Sequence, residues 1–326
     1  MKALVTGATG FIGSRLVREL ARQGMEVRSL ILPGEPAGHI RDYTTDIRRG
    51  NLDEPQSLKG LLKGIDLVFH LAARVTDWGS RQAFYRPILD GTRNLLEESR
   101  EKGARFVYVS SIAACGLGRH LKGMRESDEA CMSGVPYNDA KLEAERIVRS
   151  FHDQGLVNAV IVRPANVTGP GSVWVRDIVD RFKGLFVPLL DHGRYSASLV
   201  YVDNLVSGLV LAGTRPRAVG NTYHLRDDWD VTWKRYLTDL GAMMGKRPGF
   251  SIPFSLAWTL GALSEKILTP LNIRPPITRL TAAIMGRDND VDTTKARTEL
   301  GWDTHVSYEQ ALAEIRAWVD DYLRYE

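Results

Sequence analysis

The chain has 326 residues, 44% hydrophobic and 25% charged, the proportions of a folded globular protein with a sizeable core. Its net charge of +4 is small, which excludes a nucleic-acid-binding stripe and leaves only a mild attraction for anionic small molecules. Two cysteines, Cys115 and Cys131, no Cys-x-x-Cys or His-Glu-x-x-His, and seven histidines without metal-ligand spacing predict neither a disulfide scaffold nor a metal site.

The opening MKALVTGATG has no apolar core long enough for a targeting segment. No stretch approaches the roughly 18 apolar residues of a transmembrane helix. The expected location is the cytoplasm.

In chain order, Lys2–Thr6 reads as an apolar strand and Phe11–Gln23 as a helix with Ile12, Leu16 and Leu20 on one stripe. Val27–Leu32 is a strand closed by Pro33-Gly34, and Asp66–Ala72 a buried strand. Ala83–Lys102 reads as a helix closed by Gly103, Arg105–Ser110 as a strand, Pro136–Gln154 as a helix and Asn158–Arg163 as a strand. Alternating units with continuous apolar strands predict an α/β fold, a doubly wound parallel sheet of the Rossmann type. Beyond Pro164 the pattern loosens and becomes mostly helical. The expected division is a dinucleotide-binding domain over 1–165, with 197–225 returning to it, and a smaller substrate domain from 166–196 and 226–326.

Thr6–Gly13, TGATGFIG, sets Gly7, Gly10 and Gly13 between a strand and a helix. Glycine permits the tight turn and the close approach of backbone N–H groups to a pyrophosphate, and the helix N-terminus adds positive potential. Gly7, Thr9, Gly10, Phe11 and Ile12 are therefore the expected cofactor-binding loop. Tyr137 and Lys141 form Tyr-x-x-x-Lys on a predicted helix, one above the other. An ammonium beside a phenol favours the phenolate, so Tyr137 is expected to titrate below its ordinary value and to act as general acid and base. Ser110 and Ser111 end the strand VYVSS, where ligands bind in open parallel sheets. Cys115 reads as a buried, unreactive thiol.

The glycine spacing, the Ser-bearing strand end and Tyr-x-x-x-Lys together resemble the extended short-chain dehydrogenase/reductase superfamily, the NAD-dependent epimerase/dehydratase type. The resemblance is dense over the first 205 residues. It implies an oxidoreductase with Ser111, Tyr137 and Lys141 as the catalytic set. Ser111 would hydrogen-bond the substrate oxygen, and Ser110 would face the cofactor. It implies cofactor contacts at Asn51 and Leu52 around the adenine, at Leu71, Ala72 and Ala73 after His70, at Tyr137 and Lys141, and at Pro164, Asn166 and Val167. Ile88 replaces a family Asn, and Pro87 before it predicts a local kink. A homodimer through Gln82–Lys102 and Pro136–Gln154 is implied by resemblance alone.

Relatives that prefer NAD carry an acid at the end of the second strand; Ser29-Leu30-Ile31-Leu32 has none. Arg28 or Arg41 would supply positive charge, so of NADP and NAD the expected cofactor is NADP. For the small-molecule substrate, one reading is an apolar keto or hydroxyl compound. The chain is similar to 3-beta-hydroxysteroid dehydrogenase-like and dihydroflavonol-reductase-like members, notably over IPFSLAWTLGALSEKI. Residues 252–268 would roof an apolar pocket, lie on a membrane surface or be plain core. The alternative is a nucleotide-sugar epimerase or dehydratase with tightly bound NAD. The family's first clamp position is Ala197 here, Arg194 is out of register, and Arg287 is the one candidate for the second clamp. A non-catalytic dinucleotide sensor is the third reading.

Overall fold

The structure is a computed structural model that describes residues 1–100, 102–184 and 187–324. Along β1 (Lys2–Thr6), Ala3 and Val5 face one buried cluster and Leu4 the other, so the strand is covered on both faces. The strands that follow do the same: β2 (Glu26–Ile31), β4 (Leu67–His70) and β5 (Arg105–Val109). Between them β3 (Asp46–Arg49) is a polar edge strand without the apolar run that would announce it. Beyond a short β6 (Leu121–Met124) come β7 (Asn158–Pro164), β8 (Asn166–Thr168), β9 (Leu189–Leu190), β10 (Leu199–Tyr201) and β11 (Thr222–Leu225). Last are β12 (Ser251–Ile252) and β13 (Asn289–Val291).

Seven strands form one parallel sheet in the order β11-β7-β5-β4-β1-β2-β3. The order reverses between β1 and β4, and that reversal opens a crevice beyond their carboxyl ends. Helix α1 (Phe11–Arg22) covers one face. On the other lie α2 (Arg81–Tyr85) and α3 (Gly91–Ser99), joined through a π-helical turn at Arg86–Asp90, and α4 (Pro136–Asp153). The kink expected at Pro87 is this turn; Glu101, inside the expected helix end, lies outside the described residues.

The segment 197–225 divides. Its strand β10 pairs with β8 in a separate two-stranded sheet, whereas α6 (Val202–Thr214) packs on the main sheet beside α1, and β11 extends that sheet at β7. Away from the sheet, α5 (Val173–Lys183), α7 (Trp233–Ala242), α8 (Phe254–Leu268), α9 (Arg279–Gly286) and α10 (Tyr308–Arg324) surround a second buried cluster around Trp233, Tyr236 and Phe182. The cleft between this cluster and the carboxyl edge of the sheet holds the site.

Candidate active site

Gly7 leaves β1 with φ +66°, in the left-handed region that glycine tolerates. A Cβ on Gly13 would stand 2.0 Å from the Gly7 carbonyl oxygen, so α1 can begin this close to the turn only with glycine there. The first turn of α1 carries no acid, and Gly10, Phe11, Ile12 and Gly13 line the cleft, so the positive end of the helix lies at its wall.

The opposite wall is fixed by a buried chain of hydrogen bonds. Thr6 Oγ1 accepts from Leu71 N (3.2 Å) and Ala72 N (3.1 Å). Its own hydrogen is then free for His70 Nδ1, 2.8 Å away. His70 is left as the Nε2–H tautomer, donating to Thr92 Oγ1 (2.9 Å), which donates in turn to the Ile88 carbonyl. Burial, helped by the Lys141 charge, lowers the imidazole to about 3, so His70 is neutral. It clips β1, β4 and α3 together and leaves the backbone of Leu71–Ala73 to line the cleft.

Ser111 follows β5 and caps a short 3-10 turn, Ile112–Cys115, its Oγ accepting from Ala113 N at 3.1 Å. The Tyr137 phenol lies near this hydroxyl, and both line the cleft. Neighbouring Ser110 has a buried Oγ with no partner. Helix α4 starts at Pro136 and presents Tyr137, Lys141 and Glu145 on one stripe. Lys141 Nζ donates to the Val109 carbonyl (2.8 Å) and stands 5.0 Å over the Tyr108 ring. Burial brings its pKa down to about 8, with Glu145 opposing the shift.

This corrects the expected effect of Lys141 on Tyr137. The phenol lies above, not below, its ordinary value, because burial outweighs the lowering effect of the nearby Ser111 hydroxyl, and the ammonium is turned toward Val109. Glu145, which sequence reasoning passed over, holds Arg163 through paired hydrogen bonds of 2.8 and 2.7 Å, both residues buried. The signal was present as the third member of the Tyr137–Lys141 stripe. Cys115 lies behind this pair, 3.5 Å from Arg163, with its thiol raised to about 11 by burial; it does not line the cleft.

The cleft is one continuous cavity of about 1410 Å³. One end is lined by Gly7, Thr9, Gly10, Phe11, Ile12, Asn51, Leu52, Leu71, Ala72 and Ala73. Ser110, Ser111, Tyr137, Lys141, Pro164, Asn166 and Val167 line its waist. The far end is walled mainly by apolar side chains, among them Trp174, Ile178, Leu190, Ile252, Leu280 and Met285, with Arg176, Asp177, Arg181 and Arg274 also lining it. A single small-molecule pocket is typically about 300–1,000 Å³, so this cleft has room for two ligands end to end. The glycine cradle and the orphaned Ser110 hydroxyl fit a dinucleotide.

Arg28 does not join this set. It shares a face of β2 with Leu30 and points under the sheet, where it is buried, 2.7 Å from Asp46 Oδ2 and 2.6 Å from the Leu61 carbonyl. Arg41 is exposed and outside the cleft. The unforeseen charge is Glu35. Past the Pro33-Gly34 turn the chain folds back, and the Glu35 carboxylate accepts from Thr9 Oγ1 (2.5 Å) and Leu32 N (3.1 Å) at the cleft wall.

The expected sugar-nucleotide clamps are not in the cleft either. Arg287 lies over the Phe254 ring, 3.3 Å from its centroid, and pairs with Asp191 at 3.4 Å. Arg194 is exposed beside Tyr195, and Ala197 is buried.

Residues 3–225 match the model of the NAD dependent epimerase/dehydratase family. A 4-hydroxy-2-methyl-3-oxo-4-farnesyl-3,4-dihydroquinoline-1-oxide ketoreductase of Stigmatella aurantiaca is 30% identical, covering 97% of this chain and 96% of its own. A 2-alkyl-3-oxoalkanoate reductase of Stenotrophomonas maltophilia is 28% identical over 97% of this chain and 99% of its own. Among solved structures, the crystal structure of gox2253 superposes with a TM-score of 0.82 at 27% identity, covering 99% of this chain and 98% of that one.

Proposed function

The chain belongs to the NAD dependent epimerase/dehydratase family, and from that premise we propose that it reduces a keto group, or oxidises the matching hydroxyl, of an apolar small molecule. The observation that carries the reading is the two-ended cleft: a glycine cradle at one end, Ser111 and Tyr137 at the waist, and apolar walls beyond. A nucleotide sugar would need cations for its pyrophosphate; Arg287 and Arg194 are committed elsewhere, and of the arginines lining the far end Arg274 is held by Asp77 and Asp177, Arg176 lies beside Asp177 and Arg181 donates to the Pro276 carbonyl. The ketoreductase relative acts on a farnesylated ring, a substrate such walls suit.

When bound, the nicotinamide supplies or receives the hydride. The chain's own residues handle the proton. Ser111 and Tyr137 both present hydroxyls to the substrate oxygen. Burial keeps the phenol protonated at neutral pH, which suits Tyr137 to donate as the oxygen gains charge in the reductive direction. Lys141 presents a buried ammonium at the waist, where it would hold the ribose of the nicotinamide. Its hydrogen bond to Val109 fixes it at the waist.

We read the preferred cofactor as NAD, in place of the NADP expected from the sequence. Glu35 puts a carboxylate beside Thr9 of the glycine loop, able to accept from ribose hydroxyls and repelling a phosphate at that position. Homodimer formation through α2–α3 and α4, which pack side by side, is a further proposal, for sedimentation velocity to test.

The test of the main reading is loss of NADH or NADPH absorbance with a panel of bulky apolar ketones, in the wild type and Tyr137→Phe. The variant should bind cofactor normally and turn over about 10²–10⁴-fold more slowly. Near-normal turnover in Tyr137→Phe would remove the proposed mechanism.

A further inference from the structure

A helix on a protein surface ordinarily buries one stripe and shows a polar face to water. Helix α8 is apolar on both sides. Phe254, Ala257 and Gly261 are buried, and a Cβ on Gly261 would lie 2.9 Å from Arg279 N, so this side sits hard against α9. On the outward side, steps of four, three and four residues align Leu256, Leu260, Leu263 and Ile267, which are 50%, 44%, 54% and 54% exposed. The turn after the helix adds Leu271 and Ile273, and the segment before it adds Phe250, all more than half exposed. Isolated exposed leucines need no explanation, but a contiguous row of this kind marks an interaction surface.

The unpaired charge of this segment is positive. From Met243 to Leu280 the chain carries Lys246, Arg247, Lys266, Arg274 and Arg279 against a single acid, Glu265. Glu265 is taken by Arg279 at 2.8 Å, and Arg274 is held by Asp77 and Asp177 at 3.0 and 2.6 Å. Lys246, Arg247 and Lys266 are exposed and have no acidic partner among the described residues. A second copy would bring the same cations against themselves; an anionic lipid surface complements both the apolar row and the charge. No helix among the described residues is long and apolar enough to cross a membrane, so the contact would lie in the interface plane.

The row also runs into the cleft. Leu260 lines the cavity, as do Ile252 and Ile277 on either side of it. We propose that α8 and the 271–273 turn dock the protein on an anionic phospholipid surface, with the cleft mouth facing the bilayer so that an apolar ketone enters without crossing water. The route, though not the docking, rests on the apolar-substrate reading.

The experiment is co-sedimentation of the full chain with vesicles of phosphatidylcholine alone and of phosphatidylcholine with phosphatidylglycerol, at low and high salt. Wild type should pellet with the anionic vesicles and less so at high salt. Leu263→Glu/Ile267→Glu should partition at least about tenfold more weakly, since two side chains lose their burial in lipid. Lys266→Glu should bind more weakly and with a flatter salt dependence. These residues do not line the cleft, so turnover of a short water-soluble ketone should be unchanged in the same variants. If the double variant does not fold, Leu271→Ser/Ile273→Ser takes its place with the same expectation. Docking is overturned if wild type ignores anionic vesicles, if the variants pellet equally well, or if wild type is a dimer that Leu263→Glu/Ile267→Glu converts to monomer. Vesicle binding without turnover of any ketone would overturn the substrate reading and leave the docking intact.

Discussion

His70 offers a quantitative check on the wall of the cleft. Its imidazole is held neutral between Thr6 and Thr92, with the folded-state pKa near 3. In the unfolded chain a histidine titrates near 6.5, so between these values the unfolded state binds the extra proton. The stabilisation from neutral His70 is therefore full above about pH 6.5 and is lost as pH falls toward 3. At pH 5, about 1.5 units below the unfolded value, the loss is about 2 kcal/mol at 1.36 kcal/mol per unit. Other buried groups titrate over the same range. His224, lowered to about 4 chiefly by burial, adds to the acid loss. Asp227, raised to about 7 by burial, binds its proton in the folded state and works against it. The wild-type curve alone therefore does not isolate His70, but a difference does. His70→Gln keeps a polar side chain between the two threonines and cannot titrate. In urea unfolding at pH 7 and pH 5, wild type should lose about 2 kcal/mol more on acidification than His70→Gln. An equal loss in both proteins would mean that His70 titrates normally in the fold, and the tautomer chain through Thr6 and Thr92 would be wrong.

Replacing Glu35 by Ser removes the carboxylate beside Thr9 and should move the ratio of kcat/KM for NADH over NADPH toward NADPH by about five- to thirtyfold, the worth of about one to two kcal/mol between partly screened charges; an unchanged ratio would take Glu35 out of cofactor choice. Gly13→Ala sets a methyl 2.0 Å from the Gly7 oxygen, so NADH binding followed by fluorescence should weaken by at least about tenfold, with a stability loss of about 1–3 kcal/mol. Glu145→Gln leaves the buried Arg163 guanidinium without its counter-charge and should cost about 3–5 kcal/mol in denaturant unfolding, with much of it regained in Glu145→Leu/Arg163→Met.

Where one local rule decides a conformation, the sequence was enough. The alternating apolar strands and helices specify the parallel sheet, because each strand must be covered on both faces. The glycine loop is legible because Gly13 has no alternative at 2.0 Å from a carbonyl oxygen. The stripe of Tyr137 and Lys141 follows from helical periodicity, and the same periodicity reaches Glu145. The direction of a long side chain is a different matter. Lys141 could have leaned toward the phenol or toward the sheet, and the Val109 carbonyl, 32 residues away in sequence, decides it. Arg28 carries its own warning: two residues before Leu30, it shares that residue's face, which packs beneath a helix, and the end of the strand lies further on. Glu35 carries none. It lies past a Pro-Gly turn and before Pro36, and only the path of that loop returns its carboxylate to Thr9. For residues 252–268 the sequence leaves pocket roof, membrane surface and plain core open for a related reason. Which face of an apolar helix stays exposed is decided only when the other helices are in place, and here α9 covers one of its faces. What a sequence withholds in this chain is therefore mostly which partner a side chain finds. For charged groups that choice bears on the chemistry of the site: with Lys141 committed to the Val109 carbonyl, burial decides the Tyr137 phenol and raises it, which favours donating its proton over taking one.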